Sequence, residues 1–86
     1  MPAEVLSTVI TVAPGGIMTD EVGVITGDVE IESSLDAAES SPRAIARCRY
    51  DQANEWYAVS DAARPLDSGE QLQDFHHALV EKFQAR

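Results

Sequence analysis

The chain has 86 residues, 44% of them hydrophobic, and a formal net charge of −9. That is enough for one small domain spanning 1–86, which buries roughly 60–65% of the surface its unfolded form exposes. The acidic balance repels DNA, RNA and anionic membranes at long range, so no nucleic-acid or membrane partner is expected. It favours a basic protein partner, a cation, or simply solubility.

The charge is unevenly distributed. Residues 1–42 hold eight acids and no Lys or Arg, whereas residues 43–86 hold all six basic groups against seven acids. The N-terminal stretch lacks a basic region, a long apolar run and a cleavage signature, so no signal peptide is expected. No run approaches the ~18 apolar residues of a membrane span, and the cytoplasm is the default location. Five Arg against one Lys, with abundant Ala, suits a GC-rich bacterial coding sequence.

Alternation predicts a first strand over Val5–Ala13. Leu6, Ile10 and Val12 share one face, Val5 and Val9 the other. Apolar groups on both faces imply a central strand or one covered by a partner. Pro14-Gly15-Gly16 is a turn signal. The run Ile17–Glu32 is interrupted at Gly27-Asp28. This reads as a hairpin with arms Glu21–Thr26 and Asp28–Glu32, or as one long strand with a glycine bulge. Val29 and Ile31 then point inward, and Asp28, Glu30 and Glu32 form a solvated acidic edge.

Residues 33–42 are small, polar and acidic, and are read as a loop with one helical turn at Leu35–Glu39. Arg43–Tyr50 alternates again, with Ala44, Ala46, Cys48 and Tyr50 on one face and Arg43, Ile45, Arg47 and Arg49 on the other. Asp51–Asn54 turns the chain back into a partner strand, Glu55–Ser60. Pro65 delays the helix, Asp67 or Ser68 caps it, and residues Gln71–Gln84 are helical. Leu72, Phe75, His76, Leu79 and Phe83 form its buried stripe. The fold class is α+β: a four- or five-stranded, mostly antiparallel sheet with one C-terminal helix on one face.

Chemistry-bearing residues are few. His76 and His77 diverge by ~100° on a helix and cannot chelate one metal as an i, i+4 pair can. His76 belongs to the apolar stripe, at its edge or buried with a backbone partner, and Asp74 is placed to pair with His77. Cys48, the one cysteine, shares its face with alanines and reads as a buried thiol. No cofactor or metal is expected. Arg43, Arg47 and Arg49 read as partners of neighbouring acids such as Glu55, or as an anion patch. Val5, Val9, Ile45 and one or both of Trp56 and Tyr57 are candidate interface anchors, since one helix leaves a sheet face open.

These features suggest a non-catalytic interaction or accessory protein, homodimeric through the sheet face or edge that the helix leaves uncovered. The alternatives are an acidic mimic that blocks a basic site on a nucleic-acid-binding protein, and a small enzyme using His76 or His77.

Overall fold

In the computed structural model, residues 5–36, 43–65 and 71–85 are described. Strands β1 (Val5–Thr11), β4 (Asp28–Asp36), β5 (Arg43–Tyr50) and β6 (Tyr57–Ala58) form the main sheet in the order β1-β4-β5-β6. A short strand, β7 (Arg64–Pro65), pairs with β5 further along. Strands β2 (Ile17–Thr19) and β3 (Gly23–Ile25) form a separate hairpin, and helix α1 (Leu72–Phe83) follows. Every pairing is antiparallel. The α+β reading, a five-stranded antiparallel sheet with a C-terminal helix, therefore holds.

The period-2 pattern sorts side chains onto two faces. Ile10, Val29, Ile31, Ala44, Ala46 and Cys48 are buried in one core with Ile17 and Ile25 of the β2–β3 hairpin and with Leu72, Phe75 and Leu79 of α1, which lies against β1 and β4 and also buries His76. Phe83 and Tyr57 pack at the margin of this core. The helix begins at Leu72 with Gln71 as its N-cap. There Asp74 accepts the Gln71 backbone N–H at 3.2 Å, so this carboxylate closes the first turn. The proposed caps Asp67 and Ser68 lie outside the described residues.

Four expectations need correction. First, Gly27-Asp28 is neither a hairpin turn nor a bulge within one strand. The chain reverses earlier, at Asp20–Val22, because Gly23 takes a φ of +75° and Thr19 ties the turn. The Thr19 hydroxyl donates to the Gly23 carbonyl (2.7 Å) and accepts from the Val22 N–H (3.2 Å). Gly27, at φ +90°, is instead the corner between the hairpin and β4.

Second, Ser33–Asp36 is strand and not loop, so no helical turn begins at Leu35. Ser33 and Leu35 continue the inward phase of Val29 and Ile31. The rest of that expected loop, 37–42, lies outside the described residues. Third, among the described residues β1 is an edge strand, so of the two alternatives for it the central placement does not hold, and β4 is interior and not the acidic edge expected. Fourth, Glu55–Ser60 pairs with β5 only over Tyr57–Val59, through strand β6 and the Val59 N–H to Ala46 O bond (3.1 Å). It then turns to β2, where Ser60 N–H donates to Met18 O (2.9 Å) and Asp20 N–H to Ala58 O (3.1 Å).

The returning chain is extruded between β6 and β7. Arg47 faces Ala58, yet Ala44, three residues back, faces Arg64, six residues on. Asp61, at φ +58°, sits in that excursion. At the far end the chain closes on β1. Ala13 N–H donates to Phe83 O (2.8 Å), and Ala85 N–H donates to Thr11 O (2.7 Å). No helix among the described residues is long and apolar enough to cross a membrane.

Candidate interaction surface

The face of the sheet opposite α1 carries two rows of charge in register. The pairing sets Glu30 opposite Arg49 and Glu32 opposite Arg47. Arg49 donates to Glu30 through Nε (2.8 Å), with a second contact from Nη2 (2.7 Å), and its Nη1 reaches the Ala53 carbonyl (2.9 Å). Arg47 donates to Glu32 through Nε at 3.0 Å and also through Nη2. The Trp56 ring lies over both guanidinium groups, 5.0 Å from Arg47 and 4.6 Å from Arg49. Such stacking holds the planar cations while leaving their edges free to donate.

This geometry resolves the arginine row into ion pairs for Arg47 and Arg49, with partners on β4; Glu55 instead accepts from the Tyr57 hydroxyl (3.2 Å). Arg43 ends the same row and is exposed. Of the suggested interface anchors, Val5, Val9, Ile45 and Trp56 share this outer face. Tyr57, opposite Cys48, lies on the helix side. The charged ladder separates Val5 and Val9 on β1 from Ile45 and Trp56, so the outer face is a polar surface with apolar margins and not one patch.

The edge beside Val5 and Val9 is different. Val12 N–H bonds to Gly27 O across β1 and β4 (3.0 Å). By alternation, Leu6, Thr8 and Ile10 also direct their backbone groups toward β4. Val5, Ser7 and Val9 therefore direct N–H and C=O outward, where no strand pairs with them among the described residues. Val5 and Val9 are 51% and 52% exposed. Residues 5–13 contain no charged side chain. Sequence reasoning gave the two-sided apolar pattern of this strand but missed the importance of Ser7, whose position becomes telling only once β1 is known to be an edge.

The histidines have separate roles. His76 is buried between two hydroxyls: Thr8 Oγ1 lies 2.8 Å from Nε2, and Ser33 Oγ lies 2.7 Å from Nδ1. Its partners are thus side chains and not the backbone. Burial, and then the neighbouring His77, push its pKa down from the ordinary value. His77 is exposed and its Nε2 lies 3.7 Å from Glu81, not from Asp74. Burial, and then Glu21, push the Cys48 thiol up to about 11, so the reactive thiolate is scarce at neutral pH. Among the described residues, no three His, Cys, Asp or Glu side chains converge as a metal site would require.

Two depressions flank the extruded segment. A cleft of about 190 Å³ lies against α1 and includes Ala62, Arg64, Phe75, Leu79, Lys82 and Phe83 in its lining. Arg64 stands over the Phe75 ring and Lys82 over the Phe83 ring, at 5.5 and 5.2 Å. The other, of about 480 Å³, lies by Asp20, Arg43, Ile45, Arg47 and Asp61. On the β2–β3 hairpin, Met18, Val22 and Val24 are each half exposed, an apolar tip that sequence reasoning did not single out. Asp20 accepts from the Ser60 hydroxyl (2.6 Å) and Glu21 from the Ala58 N–H (2.9 Å), which anchors the hairpin to the body. Comparison with family models, curated proteins and solved structures finds no match to this chain.

Proposed function

We propose that this protein is a non-catalytic interaction module that binds a protein partner by strand addition at the β1 edge. The observation that carries the reading is the outward backbone of Val5, Ser7 and Val9, flanked by half-exposed valines on a strand without charge. An added strand gains main-chain hydrogen bonds from the edge and side-chain contacts from alternate positions. Isolated edges of this kind are usually blunted by Lys, Pro or bulges, and β1 carries none of these.

Two observations favour this reading over the acidic mimic and the small enzyme. Glu30 and Glu32 are neutralised by arginines of the same sheet, which reduces the acidic field a mimic would present. His76 is held on both ring nitrogens by Thr8 and Ser33 in the interior.

Ser7→Pro tests the reading. It removes an N–H that points away from β4, so the internal ladder stays intact, as prolines on edge strands allow. Val9→Lys is the second variant and leaves the backbone unchanged. Each should weaken partner binding, self-association included, at least ~10-fold, since several hydrogen bonds and an apolar contact are lost together. Val24→Ser, on the hairpin, should leave it unchanged. Binding that survives both edge variants in proteins with wild-type circular dichroism refutes the reading.

A further inference from the structure

We propose that the strand added at this edge is β1 of a second copy, antiparallel, with Ser7 opposite Ser7. The inference rests on the strand-addition reading and names its partner. The open stretch of the edge is short and bounded. Beyond Val9, Thr11 O is already taken by Ala85 N–H, and Ala13 N–H is already given to Phe83 O. Among the described residues, the positions whose outward N–H and C=O are both open are Val5, Ser7 and Val9, evenly spaced about Ser7. A twofold axis through Ser7, perpendicular to the sheet, makes each of these residues donate one N–H and accept one in return. Shifting the register by two residues toward the C-terminus, the next step that keeps outward groups opposed, would set Val5 against Thr11, whose carbonyl is occupied.

The side chains fit the same axis. On the outer face Val5 of each copy meets Val9 of the other, so the exposed valines form two apolar cross-strand pairs. On the helix side Leu6 meets Thr8. Apart from Glu4, which precedes Val5 in the sequence, the acids of the adjacent strand, Asp28, Glu30 and Glu32, are bound to Thr11, Arg49 and Arg47. Across the seam the two β4 strands lie three strand spacings apart, about 14 Å, beyond the ~8 Å screening length at physiological salt.

Single cysteines test the register. Opposed residues in a hydrogen-bonded pair stand about 5.5 Å apart at Cα, within disulfide range. Ser7→Cys should therefore cross-link to itself under a mild thiol oxidant. Val5→Cys alone should not, because the two positions lie ~13 Å apart along the seam. Mixed with Val9→Cys, it should form the mixed dimer. Cys48, buried, stays out of the reaction. Sedimentation of the wild type should show a dimer that Ser7→Pro dissociates at least ~10-fold more readily. A wild type that remains monomeric at hundreds of micromolar overturns the self-pairing; if Ser7→Pro still abolishes binding of a different protein, strand addition itself survives. A dimer that is intact in both Ser7→Pro and Val9→Lys overturns both. Cross-linking of Val5→Cys alone as readily as Ser7→Cys overturns the register.

Discussion

His76→Leu should destabilise the fold by about 2–3 kcal/mol, even though it places a more apolar side chain in the core. Ser33 is fully buried and loses its 2.7 Å bond to Nδ1, and Thr8, half-buried, loses its 2.8 Å bond to Nε2. A buried hydroxyl left unpaired costs ~1–3 kcal/mol, and a half-buried one that water can reach costs less. The added apolar area offsets on the order of 1 kcal/mol. For a chain of this length, total stability is of order 4–13 kcal/mol, so the change is a large fraction of it. The assay is urea denaturation at one fixed protein concentration, because self-association shifts the midpoint. With a slope near 1 kcal/mol/M, the midpoint should fall by about 2 M. Adding Thr8→Val and Ser33→Ala should recover at least half of the loss, since no hydroxyl is then left orphaned. A His76→Leu midpoint equal to wild type, or a triple variant weaker than the single one, would refute the reasoning.

Three other outcomes follow from the same structure. Because the folded state holds His76 below its ordinary value of 6.5, the unfolded chain binds the proton more readily. Its contribution is thus complete above about pH 6.5 and declines as pH falls from there toward the folded value. Denaturation midpoints measured from pH 7.5 to 5 should show this slope in wild type and lose it in His76→Leu. Gly16→Ala should cost at least ~1–3 kcal/mol, because Gly16 has φ +72° and a Cβ there would stand 2.7 Å from the Ile25 carbonyl oxygen; a thermal melt within a degree of wild type would contradict it. Cys48 should react with a thiol reagent only on the timescale of unfolding, and fast labelling of the native protein would show the site to be open.

The helix and β5 were legible because their periodicities are sustained: a 3.6-residue stripe from Leu72 to Phe83, and strict alternation from Arg43 to Tyr50. Strand partners were not legible. The Glu30-x-Glu32 and Arg47-x-Arg49 patterns are complementary when run antiparallel, and that signal could have paired β4 with β5. Ser33 obscured the end of β4 because serine is read as a loop residue, whereas here its hydroxyl is consumed by a histidine 43 positions away. The hairpin at Asp20–Val22 was hidden because its turn is tied by the Thr19 side chain and released by Gly23, a weaker signal than the neighbouring Gly27-Asp28 pair. The edge position of β1 depends on the whole strand order, which no local pattern encodes. Its two-sided apolar pattern had been read as a mark of a central or partner-covered strand, and only the second alternative agrees with where the strand lies.

Amide hydrogen exchange of β1, followed from low to high protein concentration, tests the edge most directly. Leu6, Thr8 and Ile10 donate to β4 and should exchange slowly throughout. Val5, Ser7 and Val9 should exchange rapidly in dilute protein and become protected together as concentration rises. Exchange at these three amides that stays fast at every concentration would contradict pairing of the β1 edge with a second copy.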